Sequence, residues 1–258
     1  MKIEIVKTRY GQMIVNARDQ YIGLSLISYG EYAQHEVDFL LQLINSETVV
    51  VDIGANIGGM TLPFASKAKY VYAFEPNPKL YNMLCGNIAI NNINNVIAYN
   101  IGIADFAGKM SFQELPEHNN GAHSLLPEQH NGHNAIIVSD QVPSCHLLKI
   151  DVEGMELQVL KGCTNMIQTC KPAIFIENDR RDKAASLVEY LIINLDYDCY
   201  WVPLKLYSEQ NFASNPVNIY SDVGCINMIC VPKGAYDFST IGLSKVSVDS
   251  PIHAGVIQ

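Results

Sequence analysis

Residues 49–62 read VVVDIGANIGGMTL. A run of β-branched residues ends on an acid, Asp52, and passes through a glycine-bearing turn into a helix-like stretch. A turn of this kind points backbone N–H groups outward at a helix N-terminus, which seats an anionic group. It also narrows the fold. A buried strand that feeds a helix is the unit from which mostly parallel α/β sheets are built.

The same alternation continues along the chain. Residues 48–53 and 58–67 read as strand and helix, 70–75 and 77–91 as the next pair, and 95–101 as a third strand. An extended piece at 109–115 precedes a polar loop over 116–134, and 135–140 reads as a further short strand. Residues 145–151 form a buried strand, and 154–162 a helix that Gly162 closes. A strand at 172–178, a helix at 181–194 and the pair YDCYWV and GCINMICV complete the pattern. Upstream, 3–6, 12–16 and 21–27 read as short β runs. The helix that follows them carries Val37, Leu40, Leu41 and Ile44 at helical spacing. The expected fold is α/β, a mostly parallel sheet with helices on both faces. Residues 1–45 would be an N-terminal β-hairpin region with a covering helix, 46–235 the main domain, and 236–258 a loosely packed tail.

Composition narrows the function. The net charge of −9 opposes long-range attraction to nucleic acid or anionic membranes. Seven cysteines, an odd number with no CxxC, favour reduced thiols and a cytoplasmic protein. No N-terminal apolar leader is legible and no stretch approaches eighteen apolar residues, so no membrane span is expected. An oligomer is compatible with all of this.

The turn reads Asp52-x-Gly54-x-Asn56-x-Gly58-Gly59. A dinucleotide fingerprint wants glycine where Asn56 stands. No Tyr-x-x-x-Lys pair supports a nicotinamide oxidoreductase either. A second acid, Glu75, ends the next strand about twenty residues on, where a carboxylate bonds ribose hydroxyls. A nucleoside without a pyrophosphate fits both features. S-adenosylmethionine (SAM) is such a ligand: its carboxylate would meet the turn, and its ammonium would need an acceptor such as Asp52 or nearby carbonyls. The plainer alternative is that Asp52 caps the turn and Glu75 the next helix.

Four segments together resemble the FkbM-type SAM-dependent methyltransferases: VVVDIGANIGGMTLPFA, VYAFEPNPKLYNMLCGNIAINN, NNGAHSL and LLKIDVEGMELQVLKG. The resemblance runs from about residue 20 to 232. It implies a Rossmann-like class I methyltransferase fold with a seven-stranded sheet and one antiparallel strand near the end. It implies O-methylation of a hydroxyl on a carbohydrate or natural-product acceptor. It assigns GAHSL to the mouth of the site, hence His123 and Ser124, and would bring Tyr32 and Glu36 of the covering helix near the ligand. The cofactor side then comprises Asp52, Gly54, Asn56, Gly58, Glu75, Asn77, Gly102, Ser124 and Asp151.

Asp151 ends the strand expected beside the glycine-turn strand. Methyl transfer to a hydroxyl is an in-line displacement that gains from positioning and a general base. Asp151, Glu153 and His123 are the candidate catalytic groups, with Lys149 leaning to the same face as Asp151. Alternatively, Asp151 and Glu153 only favour the positive end of the next helix. Asp151, Glu177 and Asn178 form a weaker candidate for a divalent metal. His118, His123, His130 and His133 invite zinc, but no cysteine accompanies them and their Asn/Gly-rich setting reads as a surface loop or lid. A second function class is a nucleoside- or SAM-binding module without catalysis that serves as an interaction protein.

Overall fold

The computed structural model describes residues 1–106, 108–112, 125–127, 133–136, 142–221 and 223–253. The chain opens with an antiparallel hairpin, β1 (Ile3–Thr8) and β2 (Gly11–Asn16). Met13 and Val15 of β2 bury against Leu80 and Met83 of a later helix. The third β run expected over 21–27 is instead helix α1 (Ile22–Tyr29). A short apolar run does not separate strand from buried helix by pattern alone. Here the Asp19 carboxylate accepts the N–H groups of Tyr21 and Gly23 and starts the helix, while Leu26 and Tyr29, one turn apart, bury its core face. Helix α2 (Gln34–Leu41) follows where its spacing places it, with Val37 and Leu40 fully buried.

The central alternation then begins: β3 (Val49–Ile53), α3 (Thr61–Ala65), β4 (Tyr70–Phe74), α4 (Pro78–Ile90) and β5 (Val96–Tyr99). Helix α3 starts later than expected because Gly58, at φ +95°, still belongs to the turn. An added small sheet follows, of which the sequence suggested two pieces, the extended run at 109–115 and the short strand at 135–140, but not their pairing: β6 (Gly102–Ile103), β7 (Gly108–Phe112), β8 (Leu125–Pro127) and β9 (His133–Ile136), in the order β6-β9-β7-β8. The main sheet resumes with β10 (Leu147–Ile150), α5 (Glu156–Gly162), α6 (Thr164–Cys170), β11 (Ala173–Glu177) and α7 (Arg181–Glu189). It closes with β12 (Tyr197–Lys205) and β13 (Gly224–Pro232).

Gly162 does not close its helix: the chain passes through Cys163 straight into α6. A Cβ at Gly162 would collide with the Ala104 carbonyl oxygen, so close packing explains the glycine.

The seven strands lie in the order β12-β13-β11-β10-β3-β4-β5. Only β13 runs against the rest, pairing antiparallel with both β11 and β12. This is the expected seven-stranded sheet with one reversed strand. Successive residues of β3 face opposite cores. Val49, Val51 and Ile53 pack with Leu148, Ile150 and Leu187 on the α5–α7 face; Val50 packs with Leu147, Val37 and Phe64 on the α2–α3 face.

The segment expected to be a loose tail is packed as far as it is described. Phe238 is buried against Tyr200. The Trp201 N–H donates to the Ser244 carbonyl, and the Val246 N–H to that of Cys199, both at 2.8 Å. This lays the segment along β12. Among the described residues no helix is long and apolar enough to cross a membrane.

Candidate functional site

From β3 the chain moves outward to β4 and β5. It then returns to the other side of β3 to lay down β10 and β11. Ligands of open α/β sheets bind beyond the strand ends where the order reverses. A cavity of about 360 Å³ lies there, between the carboxyl ends of β3, β4, β10 and β11.

The glycine turn forms its floor. Gly54 stands at φ +83° and Asn56 at φ +53°. A Cβ on Gly54 would strike the Asp151 carbonyl oxygen, so the glycine lets the ends of β3 and β10 meet. Glu75, at the end of β4, is buried. Its Oε2 accepts the Asn56 N–H at 2.9 Å and its Oε1 the Asn77 N–H at 2.8 Å. Each oxygen keeps a further lone pair for a ligand hydroxyl. Burial pushes the Glu75 carboxyl up to about 7, against the pull of those two N–H donors and of Lys149.

Behind the floor, register sets Asp52 beside Lys149 on adjacent strands. The Lys149 ammonium, buried, stands 3.4 Å from both the Asp52 and the Asp151 carboxylates. Burial opposes its charge, but Asp151 and Asp52 outweigh that and hold its pKa above the ordinary lysine value. Asp52 also accepts the Thr61 hydroxyl at 2.6 Å.

Beyond β10 the chain turns sharply, with Glu153 at φ +56° and Gly154 at φ +96°. A non-glycine residue in the left-handed region is held there by its surroundings. Arg180 supplies the hold, its guanidinium 2.6 Å from the Glu153 carboxylate. Burial and the nearby Asp151 push Glu153 up to about 7, although Arg180 opposes them.

The far wall comes from distant parts of the chain: Tyr32 and Glu36 near or on α2, Glu177 at the end of β11 with Asp179 just beyond it, and Cys225 and Asn227 on β13. Burial pushes Glu36 up to about 7, opposed by hydrogen bonds from Cys225 and Asn227. Glu177 is pushed well above the carboxylate range, first by burial and then by Asp151 and Asp179. Seven carboxylates and two cations line the whole cavity, so it suits a cationic ligand and hydroxyl donors better than an anion.

Of the residues singled out from sequence, Gly54, Asn56, Glu75, Gly102, Asp151 and Glu153 line the cavity together. Asp52 lies behind it. Gly58 shapes the turn without lining the cavity. The Asn77 side chain caps α4 by accepting the Lys79 N–H at 2.9 Å. Asn178 also stays outside, its amide donating to the Pro251 carbonyl. Among the described residues no group of three or more His, Cys, Asp or Glu is arranged to hold a metal ion. His118, His123, Ser124 and His130 lie outside the described residues, and His133 is placed only as part of β9. Sequence reasoning missed Cys225, Asn227 and Arg180. Glu36 had a legible signal: one turn from Ala33 and from Leu40, it is a charged residue on the buried face of α2.

The model of the methyltransferase FkbM domain matches residues 52–199, more than half of the chain. The hexuronic acid methyltransferase AglP of Haloferax volcanii is 34% identical over 141 residues, which cover 53% of this chain and 58% of that protein. A tRNA(Phe) (4-demethylwyosine(37)-C(7)) aminocarboxypropyltransferase of Methanocaldococcus jannaschii is 37% identical over 99 residues, covering 36% and 40%. The chain thus spans about half the length of these curated relatives. The crystal structure of M. jannaschii TYW2 in complex with AdoMet superposes with a TM-score of 0.50 at 17% identity, covering 88% of this chain and 84% of that one. That likeness is one of fold.

Proposed function

This chain belongs to the methyltransferase FkbM family, and from that premise we propose that it is a SAM-dependent O-methyltransferase acting on a hydroxyl of a carbohydrate or natural product. The observation that carries the reading is the pairing of the glycine turn with Glu75 at the switch point. Gly54 lets the ends of β3 and β10 close up beneath the turn, and Glu75 retains lone pairs for ribose hydroxyls. The excess of carboxylates favours a sulfonium. The TYW2 relative in fold was crystallised with AdoMet, the same molecule. When bound, SAM supplies an activated methyl group on a cationic sulfur.

The chain's own residues do the rest. Glu75 and the turn fix the nucleoside. Asp151, 3.4 Å from the Lys149 ammonium, orients the acceptor hydroxyl, and the Glu153–Arg180 pair holds the wall behind it. Placing a hydroxyl in line with the methyl supplies much of the rate by orientation alone. AglP is named for a hexuronic acid, which supports a saccharide-like acceptor. The net charge of −9 supports a small acceptor over nucleic acid, although a tRNA-modifying enzyme stands among the relatives. Seven free cysteines support a cytoplasmic setting.

The test is incubation with methyl-labelled SAM and separate pools of neutral sugars, hexuronic acids, polyketide-type alcohols and tRNA. Label in a hydroxyl-bearing small molecule supports the proposal. Label confined to tRNA overturns it.

A further inference from the structure

We infer that Glu36 is the group that receives the acceptor hydroxyl's proton, standing where the methyl is delivered. The inference rests on the methyltransferase reading above and assigns a catalytic residue outside the segment that matches the family, residues 52–199.

Of the carboxylates in the cavity, most are engaged. Asp151 pairs with Lys149, Glu153 and Asp179 with Arg180, and Glu75 with two backbone N–H groups. Glu36 differs. It is 5% exposed, lines the cavity, and its Oε1 is buried with no hydrogen-bond partner. Cys225 and Asn227 of β13 stand beside the carboxylate and favour its charged form. A buried, unpartnered acceptor is costly unless a ligand satisfies it. Glu177 also leaves Oε2 unpartnered, but burial, and after it the charges of Asp151, Asp179 and Glu153, push its carboxyl well above the carboxylate range. It suits donation of a hydrogen bond to the acceptor, not removal of a proton.

Position agrees. Glu75 ends β4 and Glu177 ends β11, three strand spacings or about 14 Å apart. A nucleoside fixed at Glu75 therefore extends its reactive end past the turn and Asp151 toward the wall that Glu36 shares. The groups that act on Glu36 are Lys149 on β10, Asp151 just beyond it, Cys225 and Asn227 on β13, and Tyr32 ahead of α2, with Glu177 of β11 acting on the same Cys225 and Tyr32. In the step itself the acceptor oxygen bonds the methyl carbon as the carbon–sulfur bond breaks. That electron pair stays on sulfur as the neutral thioether, and the hydroxyl proton passes to the Glu36 carboxylate. A carboxyl poised near 7 is matched to that task.

The test needs no acceptor. Sinefungin carries an amine where SAM carries its methyl, whereas S-adenosylhomocysteine is neutral there. Calorimetry on the full chain should show sinefungin binding about tenfold tighter than S-adenosylhomocysteine, the margin of one charge-assisted hydrogen bond. In Glu36→Gln the two should bind within about twofold, with S-adenosylhomocysteine affinity unchanged and a ligand-free Tm no lower than that of the unsubstituted chain. Glu36→Ala is the second variant should the amide misfold, with the same loss of preference. No preference in the unsubstituted chain, or a preference that survives both substitutions, overturns the inference. Failure of either ligand to bind the unsubstituted chain overturns the methyltransferase reading itself.

Discussion

Glu75 concentrates the account at the scale of one residue. Its carboxylate accepts two N–H groups and is still held near 7 because it is buried. Ribose hydroxyls would donate to the ionised form, so ligand binding favours loss of its proton. Affinity for S-adenosylhomocysteine should therefore rise about tenfold from pH 6 to pH 8 and then level off. In Glu75→Gln the profile should flatten over that range. Glu75→Ala should weaken binding at least about tenfold at pH 8, because the acceptor of both hydroxyls is gone; an unchanged dissociation constant by calorimetry would sink the ribose assignment. Asp151→Asn should leave S-adenosylhomocysteine bound while turnover with any accepted hydroxyl falls; full turnover would show that Asp151 does not orient the acceptor. Asp52 was harder to read. An acid at a strand end looks the same in sequence whether it faces a ligand or a lysine, and only the β3–β10 register shows that Lys149 and Thr61 claim it.

At the scale of elements, the site depends on how the N-terminal hairpin is tied to the glycine turn. Asn87 of α4, fully buried, makes that tie. Its Oδ1 accepts the Ile14 N–H at 2.6 Å, and its Nδ2 donates to the Ile14 carbonyl at 3.2 Å and the Ile57 carbonyl at 2.8 Å. Asn87→Ala should cost about 2–4 kcal/mol in denaturant unfolding, since several buried backbone groups lose their partners. A cost below the error of the melt would mean that the hairpin is held by its apolar face alone. The sequence made the strand–helix alternation legible because the buried strands are short apolar runs, β-branched in β3, bounded by glycine, proline or polar residues. It hid α1, whose IGLSLISY composition suits either state until the Asp19 cap is seen. It hid the role of Gly162 too, since a close approach to Ala104 leaves no trace in a linear pattern.

On the scale of the whole molecule, the sheet gathers carboxylates from remote segments into one cavity. Glu36, Glu75 and Glu153 are each held near 7 by burial, well above the ordinary glutamate value. The folded chain therefore binds more protons than the unfolded one between about 4.5 and 7. This contribution makes the ligand-free protein lose stability as pH rises through that window, with no further loss from these groups above about 7.5. The Tm without ligand should be higher at pH 6 than at pH 8, and a bound cationic ligand should narrow the gap. A Tm that climbs from pH 6 to pH 8 would contradict the burial of these groups. Much of the cofactor half of the cavity was legible because it lies on consecutive motifs, the turn at 54–56 and Glu75. Of the acceptor half only Glu36 left a signal, as a charged residue on a buried helix face; Cys225 and Asn227 did not, because they meet it only through the order of strands and the helix laid over them.

The most direct test of the central claim is calorimetric titration of the full chain with S-adenosylhomocysteine, with NAD as the control. The account predicts saturable one-site binding of S-adenosylhomocysteine at micromolar affinity and none of NAD. Binding of NAD alone, or of neither, would contradict the assignment of the glycine turn and Glu75 to a nucleoside without a pyrophosphate.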